Sequence, residues 1–288
     1  MDWQTRLVAL YCKVCDDYFN GLCEVAQRIS PNYQPVFTDQ EVLTIYYSGI
    51  QEGLKDKASI YRHASTYWAD FFPNLPKYKQ FSRRVGRLGN TMIKHVEILT
   101  ETGQFNGALG FLMDSMPIIL SKNINRKTER ILDQEASVGY CSTKKLYYYG
   151  VKIHVIGERK LGSVPSPIFV GTTPANVHDL TAFKSIAPDL REMEIYCDKA
   201  YCCQEFQNDI AYEQGTLIAT PIKKVKNCSE GAFEKLHNYF ISHIRQPIES
   251  YFSYLSRKTG IQDGSRIRSL NGLLAHVYGR LASTLINV

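Results

Sequence analysis

A short apolar segment that ends on a carboxylate, Ile195–Asp198, is the sequence feature that most restricts the fold of this chain. Ile195, Tyr196 and Cys197 favour a β-strand, and such a strand delivers Asp198 to the rim of a sheet. Open α/β sheets build their binding sites at that rim. A lone strand-end aspartate is also a common turn former or helix cap, so the rest of the chain decides what it means.

Strand and helix patterns alternate on both sides of Asp198. An earlier apolar run carries Asp114 and continues, after a local break, over 116–120. Period-two alternation and turn residues predict further strands at 147–156, 168–172 and 217–220. Helices are predicted to end near Ile186 and, over Gln204–Gln214, at Gly215. This order indicates an α/β fold whose core is a mixed sheet flanked by helices.

The two ends of the chain have helical patterns instead. Thr38 and Glu41 have capping-box spacing, and further helices are expected over 58–71 and 79–100. We therefore predict an all-helical N-terminal domain over 1–104 and a second domain over 105–288. The N-terminal helices fit a helix-turn-helix DNA-binding module and a plain bundle equally well, and no recognition helix stands out.

Towards the C-terminus, residues 223–245 are basic and are expected to be irregular. A helix is predicted to open at Arg245–Glu249, with Pro247 at its first position, and a last helix over Leu270–Leu285. The net charge is +6, and the stretch from Lys223 to Arg280 holds ten basic residues against four acids. This imbalance indicates either a polyanionic partner or a solvated basic surface.

The chain lacks the patterns of secreted and membrane proteins. No run approaches the ~18 apolar residues of a membrane span, and the first residues do not resemble a signal peptide. An intracellular location, with its eight cysteines as free thiols, is therefore expected. Cys12-x-x-Cys15 lacks a second pair at zinc-finger spacing, so a zinc site there is not favoured.

Three carboxylates stand out by their context: Asp114 on an early strand, Asp198 at the end of a later strand, and Glu249 in the first turn of a predicted helix. Hard divalent cations take oxygen ligands and keep positions for water and phosphate. Two such ions can hold the attacking and leaving oxygens of a phosphoryl transfer in line. The pattern is typical of metal-assisted phosphodiester chemistry, with nearby basic residues on a nucleic-acid backbone.

The motifs around these carboxylates resemble the DDE transposases of bacterial insertion sequences, and within them the group numbered nine-eight-two. Asp114 and Asp198 are 84 positions apart, and Asp198 and Glu249 are 51 apart. The resemblance covers about 105–285 and rests on four motifs in order: Phe111–Pro117, Gly171–Asp179, Tyr196–Tyr201 and Arg245–Phe252.

This resemblance implies an RNase H-like catalytic core and DNA transposition. It assigns catalysis and metal binding to Asp114, Asp198 and Glu249, with two Mg²⁺ or Mn²⁺ ions. The implied partners are double-stranded DNA, as the element's inverted-repeat ends and as target, and a second copy of the chain in a homodimer, with no membrane. The implied setting is the bacterial cytoplasm, at the nucleoid when DNA is bound.

The expected DNA contacts come from residues around these motifs: Arg245, Arg257, Lys258, Lys199, Asn176 and His178. The family's tyrosine and lysine positions near the glutamate are Ser242 and Ser256 here, so Arg257 or Lys258 is expected to replace that lysine. Lys199 either reaches phosphate or offsets Asp198. Asn176 and His178 either contact DNA or cap and pack against the following helix.

Two other functions fit the same residues. One is an RNase H-like nuclease that does not transfer strands. The other is a captured transposase retained as a non-catalytic DNA-binding protein, which the presence of all three carboxylates disfavours.

Overall fold

The computed structural model describes residues 2–26, 35–101, 109–122, 132–141, 145–223 and 231–286. The predicted domain boundary at 104/105 lies outside these residues, as do parts of the segments 121–145 and 223–245. In chain order the helices are α1 (Trp3–Asp17), α2 (Cys23–Val25), α3 (Asp39–Gln51), α4 (Lys57–Tyr67), α5 (Tyr78–Arg87), α6 (Gly89–Glu101), α7 (Asp179–Ile186), α8 (Gln204–Gln214), α9 (Ala232–Thr259) and α10 (Leu270–Leu285). The strands are β1 (Phe111–Ser121), β2 (Ser137–Cys141), β3 (Leu146–Glu158), β4 (Ser166–Pro174), β5 (Glu194–Tyr196) and β6 (Leu217–Ala219).

The chain divides into two compact units, and the division falls inside α9. Unit 1 comprises Met1–Thr102 and Leu255–Val288, and unit 2 comprises Gly103–Tyr254. These units differ from the two predicted domains in where they place residues 255–288. Within the described segments, no helix is both long and apolar enough to cross a membrane.

Unit 1 is a helical assembly, and four of its helices, α1, α3, α4 and α10, begin at side-chain caps. Asp2, Thr38, Asp56 and Ser269 each accept a hydrogen bond from a backbone N–H in the first turn that follows. Thr38 and Glu41 form the predicted capping box, with the Thr38 amide donating to the Glu41 carboxylate at 2.5 Å. These bonds satisfy N–H groups that a helix start otherwise leaves without a partner.

Helix α10 lies at the centre of unit 1, where it packs on α3 and α6. Residues 275–283 of this helix are buried on all sides, as is typical of a helix inside a core. Gly279 allows the close approach, because a Cβ there would lie 2.6 Å from the Tyr46 ring and 2.8 Å from the Met92 sulfur. Arg280 is also buried, and it donates to the carbonyl oxygens of Thr259, His276 and Lys55 and to the Tyr46 hydroxyl.

Unit 2 is built on one mixed sheet, with strand order β2-β3-β1-β5-β6 and β4 also paired to β3. β1, β2 and β4 pair with β3 antiparallel, whereas β5 is parallel to β1 and β6 is parallel to β5. One side of the sheet buries an apolar cluster that includes Met113, Phe183, Ile195 and Tyr201. The predicted mixed α/β arrangement is confirmed.

Several sequence-based elements are confirmed and others are wrong. α8 ends at Gly215 in the left-handed conformation, and α10 spans Leu270–Leu285, both as predicted. β1 runs through 111–121 without the expected break. Pro117 fits there because β5 pairs with β1 at Phe111 and Leu112 only, so the later half of β1 has one edge without a β5 partner.

The prediction that α9 opens at Arg245 is wrong. The helix begins at Ala232, and Pro247 lies in its interior. An interior proline costs about 3 kcal/mol or more, but Ile241 and Ile248, seven residues apart, are both buried on one face of the helix. Such burial contributes about 1.5–3 kcal/mol per side chain, which offsets the proline. The single helix predicted over 79–100 is also two helices, α5 and α6.

Candidate active site

The pairing of β1 with β5 brings Asp114 and Asp198 together. The strands are parallel, with Phe111 opposite Ile195 and Leu112 opposite Tyr196. Each aspartate follows its paired residue, Leu112 or Tyr196, by two positions. Adjacent parallel strands therefore deliver both carboxylates to the same place at the end of β5.

Arg245 of α9 contacts both aspartates. Its Nη2 donates to Asp114 Oδ2 at 3.2 Å, and its Nη1 lies 3.5 Å from Asp198 Oδ1. The Arg245 side chain is 8% exposed, that of Asp114 21% and that of Asp198 50%. The site therefore has a buried cation, a largely buried carboxylate and a carboxylate open to solvent.

Burial sets the protonation of Asp114. Burial raises the pKa of this carboxyl group, while the charge of Arg245 and the hydrogen bond from the Ser115 amide lower it and the charges of Asp198 and Asp179 add smaller increases. The net result is a pKa of about 6. Burial also raises the pKa of the adjacent Cys197 thiol, so Cys197 is a neutral packing residue. The ionised form of Asp114 is thus costly without a cation beside it.

Glu249 lies four residues after Arg245 on α9, and its side chain is exposed. Among the residues that the structure describes, no three His, Cys, Asp or Glu side chains are close enough to one another to hold one metal ion. The structure thus brings Asp114, Asp198 and Arg245 together and leaves Glu249 one helical turn away along α9.

The other predicted contact residues differ in their surroundings. Lys199 is exposed in a 3₁₀ turn directly after Asp198. The Ser137 hydroxyl donates to Asn176 Oδ1 and accepts from its backbone N–H, both at 2.8 Å, so Asn176 joins its loop to β2. The residue that caps α7 is His178, whose Nδ1 accepts from the Leu180 amide at 3.3 Å.

Arg257 and Lys258 are exposed in the last turn of α9, which belongs to unit 1. Their roles on DNA, like those of Lys199, Asn176 and His178, stay predictions.

A polar network that the sequence patterns did not predict lies on the opposite face of β1. Asp179 Oδ1 accepts from Lys152 Nζ at 2.6 Å and from the Ser115 hydroxyl at 3.2 Å. Ser115 is paired with His154 and Asp114 with Val155, and paired residues in an antiparallel sheet share a face. β1 therefore presents Asp114 on one face and the Ser115 network on the other.

His154 extends this network, since its Nε2 lies 2.8 Å from the Thr173 hydroxyl. Burial lowers the pKa of His154 to about 4, so the ring is neutral near pH 7. Lys152 and His154 alternate with apolar residues along β3, and this period-two pattern is the signal that would have placed them on one face.

One of two comparisons with known proteins agrees with the carboxylate pattern. A search of curated proteins found no matching sequence. The model of the family described as "Transposase DDE domain" matches residues 103–270, which include Asp114, Asp198, Arg245 and Glu249. Because this match covers more than half of the chain, the chain belongs to the Transposase DDE domain family.

Proposed function

We propose that this protein is a DNA transposase that cleaves DNA at the ends of a bacterial insertion sequence of the group numbered nine-eight-two and joins those ends to target DNA. The observation that carries the proposal is the placement of Asp114, within β1, beside Asp198, just after the end of the parallel strand β5, with Arg245 touching both. The family match, which implies a DNA substrate, supports it.

The sheet supports an RNase H-like core. Strands β1, β2 and β4 pair with β3 in antiparallel fashion. On the other edge of β1, β5 is parallel to β1, and β6 is parallel to β5. Asp114 lies on β1, and Asp198 lies at the carboxyl end of the parallel strand β5. Active sites in open α/β sheets form at the carboxyl ends of strands.

The residues fit the divalent metal ions that DDE transposase domains use. Asp114, Asp198 and Glu249 offer only carboxylate oxygens, which are ligands that Mg²⁺ and Mn²⁺ accept. We assign these three residues as the ligands of two ions. When bound, such ions polarise phosphate and lower the pKa of an attacking hydroxyl or water.

The protein's own groups hold and orient the DNA around that centre. Arg245 offsets the charge of the two aspartates in the present structure and is four residues from Glu249 on α9. Exposed Lys199, directly after Asp198, is positioned to contact a phosphate that approaches the carboxylates. We assign Arg257 and Lys258, together with Asn176 and His178, to further DNA contacts.

A transposase joins two DNA ends, so we propose a homodimer on DNA, at the nucleoid of a bacterial cytoplasm. We also propose that residues 105–288 supply the catalytic residues and that residues 1–104, which pack with the C-terminal helix in unit 1, supply the DNA-binding surface.

The test is cleavage of labelled duplexes taken from the DNA that flanks the coding sequence. We expect Mg²⁺-dependent release of a 3′-hydroxyl end by the wild type and none in EDTA. Asp198→Asn should lower cleavage to the level seen in EDTA, because it removes a charged oxygen ligand. Asp189→Asn is the matched control, since this exposed aspartate lies outside the site and should leave cleavage unchanged.

Strand transfer separates the two enzymatic alternatives. A pre-cut end that becomes covalently joined to plasmid DNA supports a transposase, whereas cleavage without joining supports a nuclease. Tight binding of flanking DNA with no cleavage by the wild type would refute the catalytic proposal and favour a captured DNA-binding protein.

A further inference from the structure

Helix α5 carries positive charge without any nearby acid in the sequence. From Phe71 to Val96 there is no Asp or Glu. The same span holds six basic residues: Lys77, Lys79, Arg83, Arg84, Arg87 and Lys94. Within α5, Lys79, Arg83 and Arg87 follow one another at intervals of four, so they form one row along the helix.

This row is unfavourable for an isolated helix. Like charges four residues apart repel each other. Lys77 and Lys79 lie at the N-terminal end of α5, where the helix dipole disfavours cations. Solvated helices normally mix the two signs of charge along a face. A helix that keeps this arrangement gains most from a polyanion that neutralises it.

The opposite face of α5 is fixed in the core of unit 1. Phe81 and Val85 are fully buried. Arg84, the neighbour of the exposed row, donates to Asp39 Oδ1 at 2.5 Å and to the Phe37 carbonyl, and its guanidinium lies over the Phe37 ring. These contacts fix one face of α5 in the core, so Lys79, Arg83 and Arg87 project from a helix whose backbone is held in place.

The row itself has no internal counter-ions in the described residues. Lys77, Lys79, Arg83 and Arg87 are exposed, and none of them pairs with a described carboxylate. By contrast, Arg6 and Lys94 of the same unit pair with Glu52 and Glu97. Arg6 and Lys94 are therefore neutralised within unit 1, whereas the exposed basic residues of α5 remain available to an anionic partner.

We propose that α5 is a DNA-contacting helix that lies in the major groove, with Lys79, Arg83 and Arg87 on the phosphates and groove edge. At about 1.5 Å per residue, the row extends roughly 12 Å, close to the major-groove width of about 12 Å. Exposed Gln80 beside the row offers an amide that suits an adenine edge. Gly86 lies on the same side, and a Cβ there would meet nothing within 4 Å, so the helix surface stays open to close approach.

This surface lies outside residues 103–270, so the family match does not assign it. The inference deepens the proposed function by naming which helix of the N-terminal unit holds DNA, and it rests on DNA being the substrate.

The experiment measures binding of mixed-sequence duplex DNA in EDTA, over a series of salt concentrations. The test protein is Arg83→Gln/Arg87→Gln in the full chain. The matched control is Arg6→Gln/Lys94→Gln, which removes the same charge from the same unit. We expect the test variant to bind about tenfold more weakly or worse. Its slope of log affinity against log salt should fall by about 2, because each phosphate that is no longer neutralised lowers the slope by roughly 0.9. The control should bind like the wild type.

Three results would overturn the inference: an unchanged slope in the test variant, equal losses of affinity in test and control variants, or equal affinity of the wild type for poly-glutamate. Arg83→Lys/Arg87→Lys keeps the charge and should restore the salt slope, which a folding defect would not allow. Because EDTA prevents metal-dependent cleavage, this experiment tests DNA binding through α5 separately from cleavage.

Discussion

Single arginines in this protein act in two different ways, and the sequence does not distinguish them. Arg245 is buried beside two carboxylates and offsets their charge. Arg280 is buried among carbonyl oxygens and acts as a fixed hydrogen-bond donor. Both residues belong to the basic C-terminal stretch that indicated a polyanionic partner, yet neither contributes exposed charge. The formal charge of a segment is therefore a poor measure of its surface.

His276 makes folding sensitive to mild acid. Its Nε2 donates to the Ile261 carbonyl at 2.8 Å, and burial, followed by the charges of Arg280 and Lys57, lowers its pKa well below 6.5. The unfolded chain takes up a proton near pH 6.5, whereas the folded chain does not. The stability from this residue is present above that pH and is lost as the pH falls, by up to about 1.4 kcal/mol per pH unit.

His276→Gln should remove this slope, because the amide still donates to Ile261 and does not titrate. Urea unfolding at about pH 8 and about pH 5.5 measures it, and the variant should lose less stability between them than the wild type. His243→Gln makes the same substitution at an exposed position and is the matched control. Equal slopes in wild type and His276→Gln would show that His276 does not set the acid sensitivity.

Helix α9 is the element where local rules and tertiary packing disagree. Pro247 has no N–H to donate, so the helical hydrogen bond from residue 247 to the carbonyl of His243 is missing. Pro247 itself lies between Arg245 and Glu249. Prolines in this position bend helices. The local irregularity thus lies between the residue that contacts both aspartates and the third proposed carboxylate.

Pro247→Ala should restore that hydrogen bond and raise the free energy of unfolding by about 1–3 kcal/mol. The same change should slow Mg²⁺-dependent cleavage, because it alters the direction from Arg245 to Glu249. Ser250→Ala, an exposed substitution in the same helix, should leave cleavage unchanged. A Pro247→Ala protein that is both less stable and fully active would contradict this account.

The elements that the sequence predicts well are those whose patterns are local. The alternation along β3, the Thr38 capping box and the glycine that ends α8 all act over a few residues, and all are confirmed. The start of α9 is predicted wrongly because Pro247 indicates a helix start from local sequence alone. The burial of Ile241 and Ile248, which stabilises the longer helix, depends on tertiary packing that local sequence does not show.

The candidate site divides in the same way. Strand-end aspartates are visible in sequence, and a shared register explains why Asp114 and Asp198 meet. The contact of Arg245 with both depends on where a long side chain points across the sheet, and the Lys152–Asp179 pair joins β3 to α7. Neither follows from spacing along the chain.

At the scale of the whole molecule, α10 completes the core of unit 1. α10 contributes buried Leu273, Val277 and Leu281 to a core formed with helices from the first hundred residues. Each such side chain contributes about 1.5–3 kcal/mol, against a total stability of about 5–15 kcal/mol for typical domains. The first hundred residues therefore lack a complete core of their own.

A chain that ends at Tyr254 should lose the fold of unit 1. We expect amide hydrogens of α3 and α6 to exchange rapidly with solvent in this truncated protein, because α10 no longer covers them. Adding a peptide of residues 255–288 should restore their protection. Slow exchange in the truncated protein without the peptide would show that residues 2–101 fold alone.

The order of synthesis gives this closure a biological consequence. A ribosome adds about 5–20 residues per second, so the N-terminal helices emerge on the order of ten to thirty seconds before their final partner. During that interval the nascent chain lacks the helix that completes the unit carrying α5. Products of premature stops and frameshifts upstream of α10 are left in the same condition, so a polypeptide must be translated through α10 before it presents α5 from a finished core.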